Sequence, residues 1–189
     1  SLIEEMSSLD GRNRDVRRTL RVLWRNELVK TIFLMCLVVV SVLIFKEILI
    51  MALKTNYPLH TPISSSMEPT LNIGDLLIVQ GVSDFDGVNA GLEDGDIIIF
   101  RKPANPHEFV VHRAVEKSQT SNGEPYLATK GDNNRSRDPW VITEDNIIGK
   151  VIWRIPLLGY IKIFLGTPVG MIITIILFLI LTFLERAGE

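Results

Sequence analysis

The apolar residues of this chain are concentrated in two long runs near its ends. Residues 163–184 contain no charged side chain. As a helix they would extend about 33 Å, which matches a hydrocarbon core of about 30 Å. Residues 31–53 are uncharged except for Lys46 and Glu47. The pattern predicts two transmembrane helices, with these two charges placed near the headgroups.

Alternative interpretations of the two runs are weaker. A buried core helix is seldom as long and as uniformly apolar as residues 163–184. A cleaved signal peptide has a short basic start and a small-residue cleavage site, whereas about thirty residues precede the run at 31–53 and no such site follows it. A retained signal anchor therefore fits better. In the second run, Thr167 before Pro168 is typical of an N-cap and a first-turn proline, so the regular helix is expected to begin there.

The positive charges predict how the chain is oriented. Basic residues crowd before the first run: Arg12, Arg14, Arg17, Arg18, Arg21, Arg25 and Lys30. The positive-inside rule places segment 1–30 in the cytoplasm, and the second span returns the tail 185–189 to the same side. Residues 54–162 are then predicted to form one domain outside the cytoplasm.

Between the two spans, short β-branched runs alternate with turn residues. Five runs are predicted to be strands, at 75–80, 96–101, 109–116, 126–130 and 146–154. The connections are rich in turn residues and no long helical period appears, which favours an antiparallel sheet over alternating βαβ units. The predicted fold is mainly β: a small antiparallel β domain flanked by an N-terminal and a C-terminal transmembrane helix.

Composition and charge limit the chemistry. The 189 residues include 20 basic and 22 acidic side chains, a net charge of −2, and this balance gives no reason to expect a nucleic-acid partner. The single cysteine, Cys36, forms neither an internal disulfide nor a zinc site, and only three histidines are present. No phosphate-binding glycine loop occurs. No metal and no cofactor are predicted.

Three polar clusters in the middle domain contain side chains that could carry out chemistry. Residues 61–70 include three successive serines, His112 stands inside an apolar strand, and residues 130–138 form a loop rich in Asp and Asn. Taken singly, they have ordinary interpretations as a loop, a structural histidine and a turn. Together they supply a hydroxyl, an imidazole and a carboxylate, the groups of a serine nucleophile with its base. The sequence alone does not show that the three meet.

The same residues resemble the motif boxes of type I signal peptidases, in the expected order over about residues 61–149. Four segments carry the resemblance: Ser-Ser-Ser-Met-Glu-Pro-Thr-Leu at 64–71, Gly-Asp at 74–75, Gly-Asp-Ile-Ile-Ile-Phe-Arg-Lys-Pro at 95–103 and Lys-Gly-Asp-Asn-Asn at 130–134. Bacterial members have a lysine base followed by arginine. The dipeptide His112-Arg113 is instead similar to the archaeal and endoplasmic-reticulum branch, which has histidine.

The resemblance implies roles for individual residues. Ser66 corresponds to the nucleophile and His112 to the general base. Asp138 matches the aspartate that orients the histidine, although Pro139 follows it where many relatives have a polar residue. Asp132, in the Gly-Asp-Asn-Asn unit, is also important in the family. Which of the two carboxylates contacts His112 is left open.

The resemblance also implies an oxyanion hole and a substrate site. The backbone N–H of Ser66 and the hydroxyl of Ser64 correspond to the donors that stabilise the developing oxyanion. Ile63 and Met67 are candidates for substrate binding, with a place in the domain core as the alternative. Asn134-Arg-Ser136 is formally a glycosylation sequon, and whether Asn134 is modified is left open.

The implied function is a membrane-bound serine endopeptidase that cleaves N-terminal signal peptides from secreted and membrane preproteins, after small residues of the Ala-x-Ala type. Its expected location is the cell membrane or the endoplasmic reticulum membrane, crossed twice. Expected partners are preproteins and the lipid bilayer, with a secretion translocon or accessory subunits as further candidates. Two alternatives are a related membrane-anchored protease with another membrane-proximal substrate and a non-catalytic subunit of a secretion complex.

Overall fold

The computed structural model describes residues 27–187, so the basic segment before Glu27 lies outside the described residues. The chain divides into two units, Ser1–Ile48 and Leu49–Glu189. Helix α1 (Glu27–Leu53) begins in the first unit and ends in the second. It continues without a break through Lys46 and Glu47, as the pattern of apolar residues predicted.

The second unit contains a six-stranded sheet in which every pair of neighbouring strands is antiparallel. The strands are β1 (Leu59–His60), β2 (Leu76–Gln80), β3 (Ile97–Lys102), β4 (Asn105–Gln119), β5 (Pro125–Lys130) and β6 (Ile147–Ile155). Their order across the sheet is β1-β2-β6-β3-β4-β5. Two short 3₁₀ helices, Phe85–Gly87 and Glu144–Asn146, lie in the connections. The prediction of a mainly antiparallel β domain is confirmed.

Apolar side chains are buried on both faces of the sheet. One cluster consists of Phe85, Val88, Ile98, Phe100, Ala114, Leu127 and Ile142. The other consists of Met67, Leu71, Leu77, Val79, Ile99 and Ile148. Ile98 and Ile99 are adjacent on β3 and enter different clusters, because successive side chains of a strand point to opposite faces. Strand β3 is therefore a central strand, and it pairs directly with β4, placing Ile98 opposite His112.

Two helices follow the sheet, α2 (Gly159–Leu165) and α3 (Pro168–Ala187). The predicted N-cap is confirmed: the hydroxyl of Thr167 accepts a hydrogen bond from the backbone N–H of Gly170 at 3.0 Å. The chain therefore does not run as one helix from residue 163, and residues 163–165 belong to the separate helix α2. By length and composition, Val29–Leu53 and Pro168–Glu185 are the two described helical segments apolar enough to cross a membrane.

Candidate active site

Ser66 lies in the loop between β1 and β2, at the start of a tight turn. The backbone N–H of Leu71 donates to the carbonyl of Met67 at 2.9 Å, and that of Glu68 donates to the carbonyl of Ser65 at 3.2 Å. The side chains of Met67 and Leu71 are buried in the core. These two apolar anchors fix the turn, in which Ser64 and Ser65 are exposed and Ser66 is half-buried.

His112 lies in the middle of β4 and connects Ser66 to a carboxylate. Its Nε2 is 3.1 Å from the Oγ of Ser66, and its Nδ1 is 2.6 Å from the Oδ2 of Asp138. The ring is buried and meets the ring of Phe100 edge-on, with centroids 6.5 Å apart. A proton on Nδ1, donated to Asp138, leaves the lone pair of Nε2 for the hydroxyl of Ser66.

Asp138 is itself held in place by β5. The hydroxyl of Thr129 donates to the Oδ2 of Asp138 at 2.7 Å, and the backbone N–H of Asp138 donates to the carbonyl of Thr129 at 2.8 Å. The side chain of Asp138 is 6% exposed. This contact of Thr129 could not be read from the sequence, because its position in an alternating strand is explained equally well by a place in the core.

Asp132 lies in the same loop but pairs with Arg113 instead of His112. The Nε and Nη2 of Arg113 donate to the two carboxylate oxygens of Asp132 at 2.8 and 2.7 Å, while Nη1 donates to the carbonyl of Gly95 at 2.6 Å. Burial alone would raise the pKa of Asp132, but hydrogen bonds from Arg113 and Thr70 and the nearby positive charges outweigh it and leave that pKa lowered. The choice left open by the sequence is answered: Asp138 contacts His112.

A clamp formed by residues 131–134 holds the loop that carries Ser66. The backbone N–H of Asn133 donates to the carbonyl of Ser66 at 2.9 Å, and its side-chain amide donates to the carbonyl of Ser65 at 3.1 Å. A Cβ at Gly131 would stand 2.6 Å from the carbonyl of Ser66, so glycine is required there by close approach. Sequence reasoning assigned no role to Asn133, although it lies inside the Gly-Asp-Asn-Asn unit.

The hydroxyl of Ser64 lies next to that of Ser66. The two Oγ atoms are 3.2 Å apart, and Ser64 is exposed. When Ser66 donates its proton to His112, Ser64 is the donor in this pair. The hydroxyl predicted for an oxyanion hole is therefore within reach of the group that would react.

A cavity of about 360 Å³ opens beside these groups. Its lining residues are His60, Pro62, Ile63, Ser64, Ser66, Met67, Glu108, Phe109, Val110, Val111, His112, Asn134, Asp138 and Trp140. Both candidate substrate residues are among them: Ile63 is 83% exposed, whereas Met67 also belongs to the core. Burial, followed by the charge of Lys162, lowers the pKa of His60 to about 4, so this second imidazole of the cavity is neutral at neutral pH.

Comparisons with known proteins identify the family of this chain. Residues 25–118 match the family described as "Signal peptidase, peptidase S26". The signal peptidase complex catalytic subunit SEC11 of Eremothecium gossypii is 30% identical over 135 residues, 67% of this chain and 77% of that protein. Its namesake from Lachancea thermotolerans is 30% identical over 141 residues, 70% of this chain and 80% of that protein. Signal peptidase I W of Bacillus subtilis is 37% identical over 92 residues, 48% of this chain and 44% of that protein. The chain thus belongs to the signal peptidase family, peptidase S26, and is a serine endopeptidase of the signal peptidase I type.

Proposed function

We propose that this chain is a membrane-anchored enzyme that removes N-terminal signal peptides from secreted and membrane preproteins, with Ser66 as the nucleophile and His112 as the general base. The observation that carries the proposal is the hydrogen-bonded chain Ser66–His112–Asp138, with distances of 3.1 and 2.6 Å. A serine hydroxyl is a weak nucleophile until a neighbouring base takes its proton. A carboxylate on the far ring nitrogen fixes the tautomer that this base needs.

The proposed reaction has two steps. First, the Oγ of Ser66 bonds to the scissile carbonyl carbon while its proton moves to the Nε2 of His112. The C–N bond then breaks, Nε2 returns the proton to the leaving amine, and an acyl-enzyme remains. In the second step water bonds to the ester carbonyl carbon while the Nε2 of His112 takes a proton from it. The bond from that carbon to the Oγ of Ser66 then breaks, and the proton returns to Oγ. Asp138 stays ionised throughout and stabilises the imidazolium that forms in each step.

The oxyanion that develops in each step needs donors. The hydroxyl of Ser64, 3.2 Å from the Oγ of Ser66, and the backbone N–H of Ser66 are the proposed pair. Donors fixed in advance stabilise charge that exists only in the transition state, so they raise kcat and leave ground-state binding almost unchanged. The clamp at residues 131–134 supports this arrangement because Asn133 holds the carbonyls of both Ser65 and Ser66.

The cavity supports a preference for small side chains. Its volume of about 360 Å³ is near the lower end of the range for ligand pockets, and several residues of an extended substrate would have to share it. Its lining is largely apolar and includes Ile63, Phe109, Val110 and Val111. A cleavage site of the Ala-x-Ala type fits such a cavity, and Ile63 and Met67 are proposed to contact it.

The membrane topology is also proposed. The two apolar helices would cross the bilayer, and the basic residues before the first would hold residues 1–30 in the cytoplasm. Residues 54–162 would then lie outside it, in the cell membrane or the endoplasmic reticulum membrane. The SEC11 relatives are named as subunits of a signal peptidase complex. Accessory subunits are therefore proposed as partners, alongside the preprotein and the bilayer.

The test is cleavage of a preprotein by the detergent-solubilised full chain, with the cleaved bond identified by mass spectrometry. Ser66→Ala should abolish cleavage. The matched control is Ser65→Ala, because the side chain of this neighbouring serine does not line the cavity; it should cleave as the wild type does. Cleavage by Ser66→Ala at the wild-type rate would overturn the serine mechanism. Cleavage only at bonds away from the signal peptide junction would favour the related-protease alternative.

A further inference from the structure

Thr129 is a polar residue buried in the apolar interior of the β domain. It lies on β5 two residues after Leu127, so the two side chains point to the same face of the sheet. Leu127 and Ala114, the residue that pairs with Thr129 across β4 and β5, both belong to the core cluster around Phe100. A hydroxyl that is 0% exposed in such surroundings is costly unless it has a hydrogen-bond partner. The identity of that partner therefore bears on the role of Thr129.

The partner of Thr129 is Asp138, which it contacts through both side chain and backbone. The hydroxyl of Thr129 donates to the Oδ2 of Asp138 at 2.7 Å, and the carbonyl of Thr129 accepts from the backbone N–H of Asp138 at 2.8 Å. Within the part of the chain that the structure describes, the hydroxyl makes no other hydrogen bond. The backbone bond does not depend on the side chain. A substitution at Thr129 can therefore remove the side-chain bond and leave the loop attached to β5.

The hydroxyl of Thr129 and the imidazole of His112 meet on one oxygen atom. The Oδ2 of Asp138 accepts from the Nδ1 of His112 at 2.6 Å and from the hydroxyl of Thr129 at 2.7 Å. Short distances of this kind are typical of hydrogen bonds to an ionised carboxylate. The side chain of Asp138 is 6% exposed, so water can contribute little to holding it. These two donors are the groups that fix this oxygen.

Without the hydroxyl of Thr129, the carboxylate of Asp138 would be free to turn. Because Pro139 follows it, the backbone of Asp138 favours extended conformations, but rotation about the last side-chain bond of an aspartate has a broad, roughly twofold profile. Such a rotation moves Oδ2 away from the Nδ1 of His112. Threonine has few χ1 rotamers, so its hydroxyl is a fixed donor that opposes this rotation.

The same hydrogen bond affects the charge of Asp138 during the proposed reaction. When the Nε2 of His112 takes the proton of Ser66, the imidazolium has a proton on each ring nitrogen, and the proton on Nδ1 faces the Oδ2 of Asp138. A hydrogen bond donated to a carboxylate stabilises its ionised form. The hydroxyl of Thr129 thus favours the arrangement in which the proton stays on Nδ1 and the carboxylate stays charged beside the imidazolium.

We propose that Thr129 is a positioning residue of this active site: its hydroxyl holds the Oδ2 of Asp138 on the Nδ1 of His112 and keeps the carboxylate charged when the imidazolium forms. This inference rests on the function proposed above, because it concerns the same chain of hydrogen bonds. Thr129 is not among the residues that line the cavity, so it acts through Asp138 and not on the substrate. Its effect is therefore expected in kcat and not in KM.

Thr129→Val removes the hydroxyl and keeps the shape of the side chain. Loss of one hydrogen bond to a charged group should lower kcat for preprotein cleavage by about 10- to 100-fold, with KM nearly unchanged. Thr129→Ser keeps a hydroxyl and should recover most of the rate. Rates are measured with the detergent-solubilised full chain and expressed per folded molecule. Wild-type kcat in Thr129→Val would overturn the proposal. Equal slowness of Thr129→Ser and Thr129→Val would assign the loss to packing and overturn it as well.

The matched control is Thr55→Val, which also removes a buried hydroxyl. Thr55 is 8% exposed and its hydroxyl donates to the carbonyl of Ile148 at 3.2 Å, but Thr55 does not line the cavity. Thr55→Val should lose stability, as Thr129→Val does, and keep the wild-type kcat per folded molecule. An equal fall of kcat in the two valine variants would attribute the loss to a disturbed fold and contradict the proposal.

A double-mutant cycle with Asp138→Ala tests whether Thr129 acts through Asp138. Without the carboxylate the hydroxyl has nothing to position, so adding Thr129→Val to Asp138→Ala should lower kcat no further in single-turnover assays with excess enzyme. If the two losses instead multiplied, as they do for independent sites, Thr129 would act by another route and the proposal would be wrong. Thr129→Ala also lacks the hydroxyl and replaces Thr129→Val in the cycle if the valine variant folds poorly.

Failure of this inference differs from failure of the proposed function. If Ser66→Ala is inactive and Thr129→Val has the wild-type kcat, the serine mechanism stands and this inference alone is overturned. If Ser66→Ala cleaves the preprotein at the wild-type rate, the serine mechanism is overturned, and the role of Thr129 is overturned with it.

Discussion

His112 and Arg113 are neighbours on β4, and each contacts a different aspartate on its own face of the strand. His112 contacts Asp138 through one ring nitrogen and Ser66 through the other. The guanidinium of Arg113 donates hydrogen bonds to Asp132 and to the carbonyl of Gly95. Both aspartates come from the loop after β5, and the alternation of side chains along a strand decides which aspartate meets which partner.

The comparison shows why only one of these pairs is suited to move a proton. In the Arg113–Asp132 pair, the hydrogen bond to Asp132 raises the pKa of Arg113, and the pKa of Asp132 is lowered, so both charges are fixed. In the other pair, one ring nitrogen of His112 faces Asp138 and the other faces the hydroxyl of Ser66, so the imidazole can take up and release a proton at the second nitrogen. In the proposed mechanism, Asp138 therefore serves the chemistry, whereas Asp132 serves the structure of the site.

The strongest test of this difference is Asp138→Asn. An amide in place of the carboxylate cannot hold His112 in the tautomer whose Nε2 accepts the proton of Ser66. We expect kcat for preprotein cleavage to fall by about 10³- to 10⁴-fold, with little change in the denaturant midpoint of unfolding. Kinetics and equilibrium unfolding of the detergent-solubilised chain check the two parts. A fall in kcat below about tenfold would remove Asp138 from the mechanism.

Asp132→Asn should have the opposite profile. It leaves the guanidinium of Arg113 without its counter-charge, at a site where the two side chains are only 12% and 15% exposed. We expect the free energy of unfolding to fall by about 3 kcal/mol, and kcat per folded molecule to fall far less than in Asp138→Asn. Denaturant unfolding and active-site titration measure these quantities.

The matched control for Asp132→Asn is the double variant Arg113→Gln, Asp132→Asn. Because it removes both charges, it should recover part of the lost stability, and the two single variants should couple strongly in a double-mutant cycle. If Asp132→Asn instead lost as much kcat as Asp138→Asn at equal folded fraction, the division of labour between the two aspartates would be wrong.

Ser64→Ala addresses a single proposed donor and should have a smaller effect. Removal of one oxyanion donor lowers kcat by about 10²-fold, and KM should change little because the donor acts on charge that appears only in the transition state. Ser64→Thr keeps a hydroxyl and should recover most of the rate. An unchanged kcat in Ser64→Ala would leave the backbone N–H of Ser66 as the remaining proposed donor.

Much of the fold was predictable because the apolar pattern changes along the chain. Uniform apolar runs indicated two helices, and the short β-branched runs correspond to β2 to β6. The two-residue strand β1 is too short for any alternation to show. The apolar pattern did not predict α2 as a separate helix, because its apolar residues are continuous with those of α3. Only the Thr167-Pro168 pair indicated that the helices are separate.

The candidate site was predictable in its residue types but not in its pairings. A hydroxyl, an imidazole and two carboxylates could be named from the motif segments, yet nothing in the sequence says which aspartate faces His112. That choice depends on the register of β4 against β5, which places Arg113 opposite Lys130, and on the path of the loop that follows. The contributions of Thr129 and Asn133 depend on the same path, so they too required the structure.

The smallest expected effect concerns His60, the second histidine that lines the cavity. His60 contacts the ring of Phe109, with centroids 6.0 Å apart, and burial and then Lys162 lower its pKa from 6.5 to about 4. Between these two values the unfolded chain binds more protons at this residue than the folded chain, so acidification favours unfolding. Between pH 7 and pH 4.5, protonation linked to His60 alone should lower the free energy of unfolding by about 2 kcal/mol.

His60→Gln should remove that part of the acid sensitivity, measured as the difference in unfolding free energy between the two pH values in detergent. His107→Gln is the matched control because His107 is exposed; it should lose stability on acidification as the wild type does. If His60→Gln and the wild type lost equal stability, the proton uptake would have to occur at another group.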